Sequence, residues 1–234
     1  TLTENRMTVS VVDAAGERLN ITETMRRHQP SVTDEECRLI RLEGVPKPLS
    51  LVLAAGALCN DAVLKPDARA GCFHALGDPT EGALVIAAAQ AGMHKDALQA
   101  VLPRAAEVPF DSERKRMITV HDVKDPHPED ISPFYDSKLK DWDVIAVKGA
   151  PDVVLGLCTR YQDINDEPQP LDEETRQRIL AANDSMTQDA LRVLGVAYRM
   201  EQDVPDENLD VNELEHDLIF VGLQGMIDPA RPEV

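Results

Sequence analysis

The sequence predicts an α/β domain of the α+β kind: a largely antiparallel twisted sheet flanked by helices. Short β-like segments recur along the chain, some joined by hairpin turns and others by helical stretches, which is the pattern of such a domain. The composition is 43% hydrophobic, as expected of a globular chain. A length of 234 residues is ample to bury a core.

The elements follow in order. Val9 and Val11 with the turn Asp13-Ala14-Ala15-Gly16 predict a hairpin. From Asn20 to Lys47 the pattern is polar and broken by Pro30 and Pro46, with Pro48 just beyond, and reads as loop. The small apolar residues from Leu49 to Leu58 suit a buried helix. Gly77-Asp78-Pro79-Thr80-Glu81 is the clearest helix start. Asp78 suits the N-cap, Pro79 the first turn, and Glu81 the third position, from which it can reach back to the cap N–H. That helix runs through Leu84, Ile86 and Ala89 to a stop at Gly92, and a shorter one spans Lys95 to Val101. Ala106 to Val123 reads as a β-hairpin that pairs with a strand from Trp142 to Val147. Between them the proline- and charge-rich Lys124 to Asp141 is expected to be an exposed insertion. Helix is expected over Ala150 to Cys158 and again over Leu171 to Ala190, where Leu171, Ile179 and Met186 share a face. Strands at Leu191 to Tyr198 and Leu218 to Gly222 complete the pattern.

Charge narrows the function. With 24 Lys+Arg against 42 Asp+Glu, the formal charge is −18, which argues against a nucleic-acid-binding surface or a polybasic membrane anchor. No apolar run approaches the roughly 20 residues of a membrane-spanning helix. Cys37, Cys59, Cys72 and Cys158 form no Cys-x-x-Cys pair and read as reduced cysteines. The six His show no metal-ligand spacing, so no metal site is expected.

Against that acidity, Phe110-Asp111-Ser112-Glu113-Arg114-Lys115-Arg116-Met117 sets an aromatic beside three cations, three minus two acids giving +1. A Phe beside cations can stack a base while a cation meets phosphate; the plainer reading is a charged turn with Phe110 in the core. Lys148-Gly149-Ala150-Pro151-Asp152 follows an apolar strand and opens a helix. There Gly149 permits close backbone approach, the helix start favours anions, and Lys148 is a point charge for phosphate. The plainer reading is a solvated lysine at a strand end. Asp78 and Glu81 either cap a helix or face a base or Arg192, and Arg192 is otherwise an edge-strand cation.

Taken in order, Thr-Leu-Thr, Gly-Asp-Pro-Thr-Glu-Gly-Ala-Leu, Phe-Asp-Ser-Glu-Arg-Lys-Arg-Met, Lys-Gly-Ala-Pro-Asp, Leu-Arg-Val-Leu and Asp-Pro-Ala-Arg closely resemble the nucleotide-binding domain of type II P-type cation-transporting ATPases, nearest the calcium-pump branch. The resemblance runs from the first residue to the last. It implies an N-domain-like fold and a boundary scheme: residues 1–9 a hinge strand, 10–221 the nucleotide-binding domain, 222–234 the return hinge. It implies that Phe110 stacks adenine, that Lys115 and Lys148 are the pocket lysines, and that Glu81 faces the base with Thr80 and Asp78 beside it. Gly149 and Ala150 would form the pocket floor, Arg192 would reach the phosphates, and Leu194 would lie near the base. Asp228 and Arg231 would be hinge residues that approach the nucleotide on domain closure. Ser112 stands where animal calcium pumps carry a phosphate-contacting Arg, and Ala230 replaces a hinge Pro.

The resemblance further implies an ATP-binding domain of a membrane cation pump that presents the γ-phosphate to an Asp in an absent domain. The family's phosphorylated Asp lies in Asp-Lys-Thr-Gly-Thr-Leu-Thr, of which this chain carries the final Thr1-Leu2-Thr3. The chain itself is therefore expected to hold no catalytic residue and no metal, with Mg²⁺ bound mainly outside it. It is expected to bind ATP without hydrolysing it, as a monomeric cytoplasmic piece that meets the phosphorylation and actuator domains. A free-standing nucleotide-binding regulator and an acidic protein-interaction module are the alternatives.

Overall fold

The computed structural model describes residues 7–21, 46–66, 73–123, 132–134, 142–165, 167–202, 204 and 210–228. In chain order the elements are β1 (Thr8–Ala14), β2 (Glu17–Asn20), α1 (Lys47–Leu58), β3 (Val63–Pro66), β4 (Phe73–Leu76), α2 (Pro79–Gln90) and α3 (Lys95–Val101). There follow β5 (Arg104–Asp111), β6 (Arg116–Val123), β7 (Trp142–Gly149), α4 (Pro151–Gly156), β8 (Cys158–Gln162) and β9 (Pro168–Pro170). Then come α5 (Glu173–Gln188), β10 (Arg192–Gln202), α6 (Val211–Leu214) and β11 (Leu218–Ile227).

Among the described residues, nine strands form one sheet in the order β2-β1-β11-β10-β7-β6-β5, with β8 beside the start of β11 and β9 beyond it. Every pairing is antiparallel except β8 with β11. The expected fold class, a largely antiparallel sheet flanked by helices, is the observed one.

Strand β7 shows why the sheet carries helices on both faces. Its alternate residues Val144 and Ala146 join a core with Val52, Leu53 and Leu58 of α1 and Leu84 of α2. Ile145 and Val147 join a second core with Val154 and Leu155 of α4 and Ile179 and Met186 of α5. A strand buried on both sides must be apolar at successive positions, and Val144 to Val147 is. Lys148 continues the parity of Val144 and Ala146, so it projects toward α1 and α2.

Several expectations needed correction. The helix expected to Cys158 ends at Gly156, and Cys158 opens β8 with its thiol on the Val154 carbonyl at 3.1 Å. Pro48, taken as loop punctuation, lies in the first turn of α1, where its missing N–H has no helical partner to lose. The β3–β4 hairpin and the β8–β9 pair were not foreseen. Strand β10 extends to Gln202 and lies between β11 and β7, so Arg192 is not on an edge strand. The insertion is not wholly exposed: Phe134 is 6% exposed and meets Tyr198 edge-on, with ring centroids 5.1 Å apart. The loop expected over 20–47 falls mostly outside the described residues, as do Cys37, Cys72 and Arg231.

The buried His121, on the α1–α2 side of the sheet, is paired locally. His121 is fully buried, with Nδ1 3.0 Å from the Leu102 carbonyl and Nε2 2.9 Å from the Thr119 hydroxyl. The carbonyl requires Nδ1 to donate, which leaves Nε2 to accept from the hydroxyl. Burial pushes its pKa down to about 4, so the ring is neutral at pH 7.

Candidate functional site

The N-terminus of α2 lies over the end of β7 and the start of β10. Asp78 caps that helix as its sequence suggests, its carboxylate accepting from Thr80 N at 2.8 Å and Glu81 N at 3.3 Å. The expected reach of Glu81 back to the cap N–H is replaced by something else. Glu81 Oε1 meets Lys148 Nζ at 2.5 Å, and Oε2 accepts from Asp61 N at 3.2 Å. A charged donor outcompetes a neutral amide for a carboxylate, and the register of β7 brings that donor within reach.

Lys148 is 5% exposed. It sits between Met117 on β6 and Val196 on β10, so the reading of a solvated strand-end lysine does not hold. On β10, residues 192, 194 and 196 share one face. Leu194 and Val196 pack into the α1–α2 core, and Arg192 on the same side donates from Nη1 to the Thr80 hydroxyl at 3.0 Å. Glu81, Lys148, Thr80 and Arg192 are thus linked pairwise from α2 to two adjacent strands.

The β5–β6 turn forms the neighbouring wall. Asp111 accepts from Glu113 N and Arg114 N, both at 2.8 Å, and these bonds hold its carboxyl below the usual carboxylate range. Lys115 closes the turn at φ +56°, its N–H on the Asp111 carbonyl at 2.6 Å. The Lys115 carbonyl then accepts from Ala150 N at 3.0 Å, which locks the turn to the end of β7. Gly149 is the reason the two can meet. A Cβ there would lie 2.4 Å from the Lys115 carbonyl oxygen and 2.7 Å from Arg116 Cβ. The side chain of Lys115 is exposed, and so is Phe110, at 62%. Phe110 is therefore not the core residue that the plainer reading made it. It stands on β5, two strands from β7, about 10 Å by ordinary strand spacing.

The cluster of three cations does not act as one. Arg114 and Arg116 both form ion pairs with Glu215, and Arg116 Nε donates to it at 2.9 Å. Burial works against ionisation of Glu215, but hydrogen bonds and charge from the two arginines outweigh it and hold the carboxyl below its usual range. Of the three, Lys115 alone stays exposed on the turn. The short α4, at six residues, also makes a weaker anion site than a long helix would, its first turn carrying Asp152.

Sequence reasoning missed the segment behind Glu81. Asn60, Lys95 and Arg104 converge on the end of α1: Lys95 Nζ donates to the Ala62 carbonyl at 2.8 Å and also to that of Asn60, and Arg104 Nη2 donates to Asn60 O at 2.6 Å. Burial pushes the Lys95 pKa down to about 8. The polar Asn60-Asp61 directly after an apolar helix was the available signal. Among the described residues, no group of three or more His, Cys, Asp or Glu could hold a metal ion, and no helix is long and apolar enough to cross a membrane. Asp228 directly follows β11.

The site thus joins a capped helix start and a buried Lys–Glu pair to an exposed Phe and Lys at one end of an antiparallel sheet. Residues 49–233 match the family model described as "P-type ATPase, cytoplasmic domain N", and the chain belongs to that family. It is 35% identical to the "Cation-transporting ATPase pma1" of Synechocystis sp., covering 100% of this chain and 24% of that protein. It is 38% identical to "Calcium-transporting ATPase 1" of Bacillus cereus over 79% of this chain and 18% of that protein. Identity with the "Calcium-transporting ATPase" of Bacillus subtilis is 33%, over 100% of this chain and 24% of the relative. The chain thus spans about a quarter or less of the length of these relatives.

Proposed function

We propose that this chain is the ATP-binding domain of a membrane cation-transporting P-type ATPase, nearest the calcium-transporting members. In the intact pump it presents the ATP γ-phosphate to an Asp of the phosphorylation domain. The observation that carries the reading is Phe110: a large aromatic left mostly in solvent, one residue before a turn that offers Lys115. An exposed ring beside a cation suits a base stacked on the ring and phosphates drawn to the charge.

The other residues take roles consistent with their positions. Lys148 and Glu81 form the floor, with Gly149 and Ala150 holding the turn against it. Arg192, whose guanidinium donates to the Thr80 hydroxyl, takes the role of reaching a phosphate. Leu194 supports the floor from β10, and Asp78 contributes by fixing the start of α2. Asp228 and Arg231 are assigned to the hinge, with 1–9 and 222–234 as the two hinge segments. Mg²⁺ accompanies the nucleotide and is held mainly by the phosphorylation domain, where it neutralises charge in phosphoryl transfer. The chain alone binds ATP and does not turn it over. Its partners are the phosphorylation and actuator domains of one cytoplasmic assembly.

The expected ATP dissociation constant is on the order of 0.1–1 mM, or roughly −4 to −5.5 kcal/mol. Replacing the ring, Phe110→Ala, should weaken ATP by roughly 5- to 150-fold, the equivalent of ~1–3 kcal/mol of base–aromatic stacking. Because the ring is exposed, the melting temperature should barely move. Calorimetric titration of both proteins checks this; unchanged affinity removes stacking from the account.

A further inference from the structure

The polar residue most deeply engaged behind the site is Asn60, which is fully buried. Its amide makes three bonds. Nδ2 donates to the Gly56 carbonyl at 3.2 Å in the last turn of α1, and to the Glu81 carbonyl at 3.0 Å in the first turn of α2. Oδ1 accepts from Ala62 N at 2.8 Å. The orientation is set by these partners, since the flipped amide would face two carbonyls with its oxygen and an N–H with its nitrogen.

This clamp decides where Glu81 sits. It fixes the main chain of Glu81 directly, and it shapes the 60–62 segment so that Asp61 N points at Glu81 Oε2. Lys95 holds the same segment from behind through the Asn60 and Ala62 carbonyls. Gly77 seats it from the front: at φ +128°, a Cβ there would stand 3.0 Å from Ala62 Cα. The Glu81 carboxylate therefore has one oxygen on Lys148 Nζ and the other on the Asp61 N–H. A carboxylate offers about four lone-pair positions, and these two donors occupy two. The remaining ones can accept from an exocyclic amino group and would repel a carbonyl oxygen at the same place.

We propose that Asn60 is a positioning residue that, by holding Glu81 in place, makes the site discriminate a base with an exocyclic amino group from one with a carbonyl. This deepens the ATP-binding reading and rests on it. Adenine and hypoxanthine differ at that one position, so ATP and ITP are the probes.

The chain is titrated with each nucleotide, as wild type and as Asn60→Ser. Wild type should prefer ATP by about tenfold, the scale of one charge-assisted hydrogen bond gained or opposed. In Asn60→Ser the preference should fall below about threefold, chiefly through weaker ATP, while ITP stays within about twofold of wild type. A general loss of structure would lower both together, which overturns the proposal, as does an unchanged ratio. Should Asn60→Ser fail to fold, the wild-type Asp61 amide proton carries the test. It should shift on ATP and stay nearly still on ITP; equal shifts overturn the proposal. Equal wild-type affinity for both nucleotides overturns this inference and leaves ATP binding standing. Binding of neither overturns the ATP-binding reading as well.

Discussion

Lys148→Met lowers ATP affinity at least tenfold and destabilises the domain by about 2–3 kcal/mol. The stability figure follows from burial: the Lys148 side chain is 6% exposed and its partner Glu81 17%. Removing one member of a buried pair strands the other charge, a loss of ~3–5 kcal/mol where that charge has no recourse. Glu81 keeps the Asp61 N–H and is partly exposed, which places the expected loss at or just below the bottom of that range. The double variant Lys148→Met/Glu81→Met separates stability from binding. With no stranded carboxylate it should recover most of the lost stability, because buried pairs replaced by apolar side chains are often neutral. Its ATP affinity should remain at least tenfold down. Urea unfolding and calorimetry on the three proteins measure both quantities, and a double variant that binds like wild type would remove the pair from the site.

Gly149→Ala should cost about 3 kcal/mol or more, an effect at the upper end for one added methyl. Its new Cβ would meet the Lys115 carbonyl oxygen at 2.4 Å, and Arg116 Cα at 2.9 Å. These are backbone atoms of the adjoining strand and turn, so no rotamer change relieves the contact; the strands must part where Ala150 N bonds Lys115 O. Binding should fall with stability, since the turn carrying Lys115 is displaced. Gly156→Ala is the control. Nothing lies within 4 Å of its added Cβ, so it should be neutral or stabilise by up to ~1 kcal/mol through helix propensity. Equal effects of the two substitutions in thermal melts would contradict the steric account.

What was legible in the sequence was local. The start of α2 could be read because Asp78, Pro79 and Glu81 each suit a position set by helix geometry. The face of α5 could be read from the spacing of Ile179 and Met186. The pairing of Glu81 with Lys148 could not, because 67 residues separate them and only the strand register brings them together. The same holds for Glu215 and the arginines about 100 residues before it. It removed two of three cations from a cluster that sequence proximity had treated as a unit. The missed strands β3 and β9 are short and carry Pro66, Pro168 and Pro170, residues that argue against strands except at edges. The ordered motifs identified the family where composition pointed the other way: a charge of −18 describes the whole surface, while Lys115, Lys148 and Arg192 lie about one helix end and two strand ends.

The most direct measurement is an ATP titration of the isotopically labelled chain followed by amide NMR. The account predicts saturable shifts, with a dissociation constant on the order of 0.1–1 mM, concentrated at Glu81, Phe110, Lys115, Gly149, Ala150 and Arg192. Shifts confined to residues away from this group, or none at several times that concentration, would contradict it.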